Sequence, residues 1–372
     1  MLLPSGIRRI AFFVVISLLA TFAFIATVNA SSSSTVPSVS GECTVLYEPS
    51  GDRFVYEKNS HARRPMASTT KIMTALVVLE NASLDDTVTV TAESVGIEGT
   101  SASLTAEDRI SVHDLLYLMM LESANDAASA LAIHVGGSIE GFAEMMNARA
   151  RSLGMSDSNF TNPHGLSSDE HYTSAADMAV LAAEALKNDT FAKIVSTKSI
   201  TLQLQGGKTS FTAGNHNKLL RMYDGAIGVK TGFTKKSGRC LVGAAERDGV
   251  RLICVTLNAS DDWNDHMRLL DYGFELFENV SLASPGDFSY TLPVIDGIDE
   301  RVECVNAVGA SLVMPKKRDE IEVSVNLSRF LVAPIERGQE VGRVSFRYEG
   351  DIIAQIPIIA SKSIFSLTRA DD

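Results

Sequence analysis

Cysteine is scarce in this sequence of 372 residues, which holds four of them. Cys43, Cys240, Cys254 and Cys304 are too few for a disulfide framework in a chain of this length. Cys240 and Cys254 fall on the two arms of one predicted hairpin and could face each other. Because free cysteine is among the most frequently buried residue types, we favour buried thiols over a disulfide.

Basic residues are fewer than acidic ones. The chain has 33 lysines and arginines against 45 aspartates and glutamates, which gives a formal net charge of -12. Residues 1–30 hold two arginines and no acids, so their removal changes the net charge from -12 to -14. This acidic balance argues against nucleic acid as a partner, although a local lysine cluster can still attract an anionic peptide.

Metal-binding motifs are missing as well. Seven histidines are present, but no His-Glu-x-x-His pattern occurs, and His164 and His216 fall in polar loops. This argues against a zinc peptidase, and we expect neither a metal nor an organic cofactor.

Charge is absent from a long apolar run near the start of the chain. Arg8 and Arg9 precede the uncharged residues 10–28, and Val28-Asn29-Ala30 offers small residues for cleavage. Residues 1–30 are therefore predicted to be a signal peptide. The run approaches membrane-spanning length, so an uncleaved anchor that associates with the membrane is the alternative. Either outcome predicts an exported, extracytoplasmic protein of the cell wall or periplasm.

Three short motifs follow one another along the chain: Ser68-Thr69-Thr70-Lys71, Ser123-Ala124-Asn125 and Lys230-Thr231-Gly232. The Ser-x-x-Lys pattern occurs once, whereas the other two have weak copies at Ser324-Val325-Asn326 and Lys236-Ser237-Gly238. Order and local context therefore carry more information than any single motif.

The first motif places a serine at the start of a buried helix. The residues from Ile72 to Leu79 are almost all apolar, which is typical of a helix buried on most sides. Ser68 and Lys71 are three residues apart and share a face, so the amine can reach the hydroxyl. Burial favours the neutral amine and suits it to act as a general base. The alternative is a capping serine followed by a lysine that reaches solvent.

The other two motifs place polar groups where they can reach a cleft. Ser123 falls between a helix that begins at Ser111 and a second helix over residues 126–135. Lys230-Thr231-Gly232 ends a predicted strand, where the lysine and threonine can bind a carboxylate and the glycine permits close approach. The alternatives are Asn125 as a helix cap and Lys230 as a solvated surface charge.

Four stretches together resemble the serine-type D-alanyl-D-alanine carboxypeptidases, the low-molecular-mass penicillin-binding proteins. They are Pro65 to Ala75, Ser123 to Ala127, Asn162 to Leu166 and Lys230 to Thr234, and the resemblance covers roughly residues 40–361. Alanine at position 124 and the loop over residues 104–108 depart from the usual family pattern. Neither departure touches the reacting groups.

The resemblance implies how the reacting groups work. Ser68 would attack the carbonyl between two D-alanines while Lys71 accepts its proton. Ser123, with Lys230, would relay a proton to the leaving amine. The backbone N–H groups of Ser68 and Phe233 would stabilise the oxyanion.

The resemblance also implies a substrate. Asn125 would hold the peptidoglycan stem peptide, and Lys230 and Thr231 would bind its terminal carboxylate beside Gly232. The stem peptide would end in D-Ala-D-Ala, and β-lactams would act as covalent inhibitors. No metal or cofactor enters this chemistry.

The implied fold is α/β (α+β): a penicillin-binding transpeptidase or β-lactamase-like catalytic domain, with an antiparallel sheet and a helical subdomain, followed by a small all-β domain. We place the catalytic domain at residues 31–280 and the C-terminal β-rich domain at residues 281–372, with Pro285-Gly286 near the boundary. The sequence predicts strands in the second domain at residues 321–325, 341–348 and 352–359.

Three other functions remain open. A serine β-lactamase shares the three motifs, but the chain has no Glu-x-x-Leu-Asn stretch to drive deacylation. A related endopeptidase would cleave cross-links instead of terminal D-alanine. A catalytically silent scaffold would bind the wall or partners through its β-domain.

Overall fold

The computed structural model describes residues 35–204 and 209–367. The predicted signal peptide, residues 1–30, and the end of the chain beyond residue 367 lie outside the described residues. Among the helices that are described, none combines the length and the apolar character needed to cross a membrane.

An antiparallel sheet of five strands supports the larger part of the fold. Its strands are β1 (Cys43–Glu48), β2 (Arg53–Lys58), β7 (Ala226–Thr234), β8 (Gly238–Arg247) and β9 (Val250–Leu257), in the spatial order β2-β1-β9-β8-β7. Pairing between β1 and β9 joins the hairpin of β1 and β2 to the hairpin of β8 and β9. The outermost strand, β7, carries the third motif.

A helical section lies between β2 and β7 in the chain. It contains α1 (Lys71–Asn81), α2 (Val112–Tyr117), α3 (Asn125–Gly136), α4 (Ile139–Ser152), α5 (Ala175–Ala185), α6 (Asp189–Ser196) and α7 (Leu219–Met222), and a further helix, α8 (Asp262–Leu276), follows β9. Three helices begin with a serine cap, because Ser111, Ser138 and Ser174 each accept a hydrogen bond from a backbone N–H three residues later. Helix α1 is buried on nearly every side, as its apolar sequence predicted.

Two short hairpins accompany the helices. β3 (Thr87–Thr89) pairs with β4 (Arg109–Ser111), and β5 (Ser199–Leu204) pairs with β6 (Thr209–Gly214). Neither hairpin was predicted from the sequence.

The C-terminal part is a second sheet. Its strands and a small neighbouring pair are β10 (Phe277–Ala283), β11 (Ser289–Ile295), β12 (Arg301–Asn306), β13 (Ala310–Pro315), β14 (Glu322–Leu327), β15 (Leu331–Val332), β16 (Glu340–Tyr348) and β17 (Asp351–Ala360). Six of these form one sheet in the order β14-β16-β17-β12-β11-β15, and β10 pairs with β13. The three predicted strands correspond to β14, β16 and β17. The proposed domain boundary at residues 280 and 281 falls within β10 and stays a prediction.

Two local expectations about the five-stranded sheet are wrong. Lys230 does not end a strand but lies in the middle of β7, which continues to Thr234. Cys254 pairs with Gly243 rather than with Cys240, so the two thiols do not face each other across the hairpin. All four cysteines are free and buried, as expected.

Candidate active site

Ser68 and Lys71 meet at the start of α1. A 3₁₀ turn over Ala67–Thr70 leads directly into that helix, and Lys71 is its first residue. The Lys71 Nζ lies 3.0 Å from the Ser68 Oγ. The three-residue spacing therefore brings the amine and the hydroxyl together, as predicted.

The surroundings of Lys71 match the needs of a neutral amine. Its Nζ also lies 2.7 Å from the Asn125 Oδ1 and 2.7 Å from the His164 carbonyl oxygen. Two N–H groups of a neutral amine can bond these two acceptors, which leaves its lone pair for the Ser68 hydroxyl proton. Burial, together with the nearby Lys230 charge, lowers the Lys71 pKa well below its usual value. The site can therefore present Lys71 as a base.

Ser123 reaches the cleft because the preceding helix is interrupted. After α2 the chain forms a π-helical turn, Leu118–Glu122, and Ser123 ends it with a φ of 66°. A left-handed conformation costs a residue other than glycine about 1–2 kcal/mol, and such conformations are concentrated at functional sites. Ser123 is buried and lines the same cleft as Ser68.

Asn125 connects the second motif to Lys71 instead of capping a helix. It is the first residue of α3, whose N-cap position is taken by Ala124. Its Oδ1 accepts from Lys71, and its Nδ2 donates to the Glu98 carbonyl at 2.6 Å. Both ends of the amide are therefore fixed, and the helix-cap alternative is wrong.

Lys230 is buried, not solvated. Only 2% of its surface is exposed, and its Nζ donates to the Thr231 carbonyl at 3.1 Å. Burial lowers the Lys230 pKa to about 7, so its charge changes near neutral pH. Lys230 can therefore act as a cation for a carboxylate or take part in proton transfer.

Two glycines lie against the peptide bond that precedes the nucleophile. A Cβ on Gly165 would lie 1.9 Å from the Ala67 carbonyl oxygen, and a Cβ on Gly232 would lie 3.0 Å from the Ser68 nitrogen. Ala67 has a φ of 49°, in the left-handed region. The backbone around the Ser68 N–H is thus tightly enclosed, as an oxyanion donor requires.

Ser68 lies where two lobes of an open cleft meet. The Arg239 lobe, of about 340 Å³, is bordered by Ser68, Ser123 and Arg239. The Lys235 lobe, of about 520 Å³, is bordered by Ser68, Asn125 and Lys235. A substrate that crosses Ser68 can therefore place one part in each lobe.

The remaining predicted residues line these lobes. Thr231 and Gly232 border the Arg239 lobe, and Phe233, which is 67% exposed, borders both lobes. Seven of the eight predicted site residues therefore lie on the cleft or bond one of its reacting groups, and the eighth, Lys230, bonds the carbonyl of Thr231, which borders it.

Arg239 was missed by sequence reasoning. Its Nε and Nη2 lie 3.1 and 2.6 Å from one oxygen of Asp262, and its guanidinium lies 5.9 Å from the centre of the Trp263 ring. These contacts fix the arginine on β8 against the start of α8. His216 and Lys218 border the same lobe, so its walls are rich in basic side chains. No motif marks Arg239, because its partner is 23 residues away.

Within residues 35–204 and 209–367, no group of three or more histidine, cysteine, aspartate or glutamate side chains is arranged to hold an ion.

Known proteins resemble this chain in sequence and in architecture. A family model described as D-alanyl-D-alanine carboxypeptidase matches residues 29–261, and a model of the C-terminal domain of penicillin-binding protein 5 matches residues 277–365. The D-alanyl-D-alanine carboxypeptidase DacF of Bacillus subtilis is 30% identical over 330 residues, which span 86% of this chain and 85% of the relative.

Further relatives agree with these matches. The D-alanyl-D-alanine carboxypeptidase DacC of Escherichia coli is 31% identical over 345 residues, covering 88% of this chain and 85% of that protein. A crystal structure of penicillin-binding protein 5 from Haemophilus influenzae superposes with a TM-score of 0.65 at 28% identity, covering 89% of this chain and 99% of the other.

Proposed function

This chain belongs to the D-alanyl-D-alanine carboxypeptidase family, and from that premise we propose that Ser68, Lys71 and Ser123 carry its reaction. It is a serine-type carboxypeptidase that acts on peptidoglycan peptides ending in D-Ala-D-Ala, and β-lactams bind to proteins of this family. The hydrogen bond between the Lys71 amine and the Ser68 hydroxyl is the observation that carries the residue assignment.

Acylation begins with a proton transfer. Neutral Lys71 removes the Ser68 proton while the Ser68 oxygen attacks the carbonyl carbon between the two D-alanines. The Ser68 and Phe233 backbone N–H groups bond the negative oxygen of the tetrahedral intermediate. Because Asn125 and the His164 carbonyl hold the Lys71 amine in place, little reorganisation is needed during this step.

The intermediate then expels terminal D-alanine. Breaking its C–N bond requires a proton on the leaving nitrogen. Ser123 donates its hydroxyl proton to that nitrogen and takes the proton that Lys71 had accepted, assisted by Lys230, so Lys71 becomes neutral again. The departing carboxylate lies in the Arg239 lobe, where Lys230 and the Thr231 hydroxyl bind it. Gly232 lets the substrate backbone approach β7, and Asn125 holds the retained stem peptide beside the Lys235 lobe.

Water completes the cycle. It attacks the Ser68 ester while Lys71 accepts its proton. The bond between the acyl carbon and the Ser68 oxygen then breaks, Lys71 returns the proton to that oxygen, and the shortened stem peptide leaves. With a β-lactam, the acyl group stays on Ser68 because the expelled amine remains tethered to it. The reaction uses no metal or organic cofactor.

The location of the substrate in the cell wall agrees with the predicted signal peptide. Enzymes of this family act on the cell wall, and we propose that residues 1–30 direct export of the chain. If this segment is retained, it also associates the enzyme with the membrane.

Release of D-alanine tests the function. The protein lacking residues 1–30 is mixed with a synthetic stem pentapeptide, and free D-alanine is measured beside the Ser68→Ala variant. We expect release by the wild type and none by the variant. A cross-linked stem dimer serves as the second substrate. Preferential cleavage of the dimer would identify an endopeptidase instead, and no cleavage of either substrate would support a non-catalytic scaffold.

A further inference from the structure

A buried chain of hydrogen bonds leads from a histidine outside the three motifs to the peptide bond before Ser68. The Thr70 Oγ1 lies 2.8 Å from the His171 Nε2 and donates to the Ala67 carbonyl oxygen at 2.9 Å. On the other side of the ring, the Thr161 backbone N–H donates to the His171 Nδ1 at 3.0 Å. His171 is 1% exposed and Thr70 is fully buried.

The partners determine where each proton lies. The Nδ1 accepts a hydrogen bond from a backbone N–H, so in the neutral ring the proton is on Nε2. The Nε2–H then donates to the Thr70 oxygen, which leaves the only hydroxyl proton of Thr70 for the Ala67 carbonyl. Burial lowers the His171 pKa to about 4, which keeps the ring in this neutral form at neutral pH.

The Ala67 carbonyl and the Ser68 N–H belong to one planar peptide group. In a trans peptide the two bonds point in opposite directions, so fixing the carbonyl oxygen also fixes the direction of the N–H. Rotation of this peptide plane would turn the Ser68 N–H together with the Ala67 carbonyl. The Thr70 hydrogen bond to that carbonyl opposes such a rotation.

We propose that His171 is a positioning residue that, through Thr70, orients the Ser68 N–H as an oxyanion donor. The inference rests on the proposed function, in which Ser68 is the nucleophile. His171 touches neither the substrate nor the reacting atoms and acts only through the hydroxyl of Thr70.

The chain offers a matched control for this arrangement. Buried His266 also bonds a threonine hydroxyl, with its Nε2 3.1 Å from the Thr256 Oγ1. These residues lie on α8 and β9 and do not border the cleft. His266→Leu therefore removes a buried histidine–threonine hydrogen bond without altering the backbone at Ser68.

The test measures acylation by benzylpenicillin and turnover of a stem pentapeptide in variants whose folding is checked by thermal unfolding. We expect His171→Leu and Thr70→Val to slow acylation 10- to 100-fold and to lower kcat while KM changes little, since one oxyanion donor is worth 10²–10³ in rate. His171→Gln has an amide oxygen for the Thr161 N–H and an N–H for Thr70, so it should restore most of the rate. His266→Leu should lose stability but keep its acylation rate.

Three results would overturn the inference. If folded Thr70→Val or His171→Leu is acylated as fast as the wild type, the hydrogen bonds from His171 through Thr70 do not orient the donor. His171→Gln as slow as His171→Leu would show that the ring itself matters. If His171→Leu fails to fold, Thr70→Val, which keeps the histidine, decides the question. Wild-type protein that forms no acyl adduct would contradict the proposed function, and the inference with it.

Discussion

The Asn125 Oδ1 accepts a hydrogen bond from the Lys71 amine at 2.7 Å. Among the hydrogen bonds of the described residues, this oxygen accepts from no other donor. A neutral amide oxygen can accept from the amine without adding negative charge beside it. This contact helps to position Lys71 without favouring its charged form, as a base requires.

Replacing Asn125 by aspartate should therefore impair the base. In Asn125→Asp a carboxylate beside the Lys71 amine favours the ammonium and raises the Lys71 pKa. We expect acylation at pH 7 to fall at least 10-fold and the acidic limb of the pH–rate profile to move to higher pH. The measurement is the benzylpenicillin acylation rate between pH 5 and 10. A limb that stays in place would show that the amide does not control the Lys71 charge.

Buried Lys230 should lower the free energy of unfolding of the protein although the reaction needs it. Its pKa falls from 10.5 to about 7 on folding, so between those pH values the unfolded chain binds a proton that the folded chain lacks. Wild-type stability therefore rises with pH across this window. We expect Lys230→Met to be inactive but more stable by about 2 kcal/mol at pH 7, with the gain shrinking toward pH 10. Urea unfolding at several pH values measures it, and a variant less stable at pH 7 contradicts the prediction.

Gly165 should tolerate no side chain. Its Cβ would overlap the Ala67 carbonyl oxygen, whereas Gly137, which also has a positive φ, has no atom within 4 Å of a built Cβ. We expect Gly137→Ala to cost about 1–2 kcal/mol and keep its activity, because only the backbone conformation is strained. Gly165→Ala should cost about 3 kcal/mol or more and lose acylation. Equal losses in urea unfolding would mean that the close approach to Ala67 is unimportant.

Arg239 should contribute to recognition of the substrate carboxylate. Two of its N–H groups bond Asp262, and the others remain for a ligand in the Arg239 lobe. The measurement compares two peptide thioesters with the same acyl part, one whose leaving group carries a carboxylate and one with the corresponding amide. We expect Arg239→Gln to reduce kcat/KM at least 10-fold for the first and little for the second.

A control on the same sheet separates recognition from general loss of charge. Arg251 on β9 is paired with Glu246 and does not border the cleft. Arg251→Gln should leave the preference for the carboxylate unchanged. If Arg239→Gln also keeps that preference, the carboxylate is bound by other groups.

Much of the site could be predicted because its geometry is local. The spacing of Ser68 and Lys71 brings them together on one turn, and the caps at Ser111, Ser138 and Ser174 depend on residues three positions away. The apolar sequence of α1 likewise showed that the lysine would be buried.

The errors and omissions concern contacts distant in sequence. Lys230 was placed at a strand end because the strand-like run before it was taken to stop at Val229, whereas pairing with β8 extends the strand. Arg239 and His171 belong to no motif, and their roles depend on Asp262 and Thr70, which only the folded chain brings near. Residue spacing alone cannot reveal such pairs.

The central claim is that Ser68 is the acylated nucleophile, and mass spectrometry of the benzylpenicillin adduct tests it most directly. The protein lacking residues 1–30 is incubated with the drug, digested at timed intervals and compared with Ser68→Ala. We predict a long-lived adduct on the peptide that contains Ser68 and none on the variant. An adduct on another residue, or one that forms equally on Ser68→Ala, would contradict the account. Rapid loss of the adduct with accumulating penicilloate would identify a β-lactamase instead.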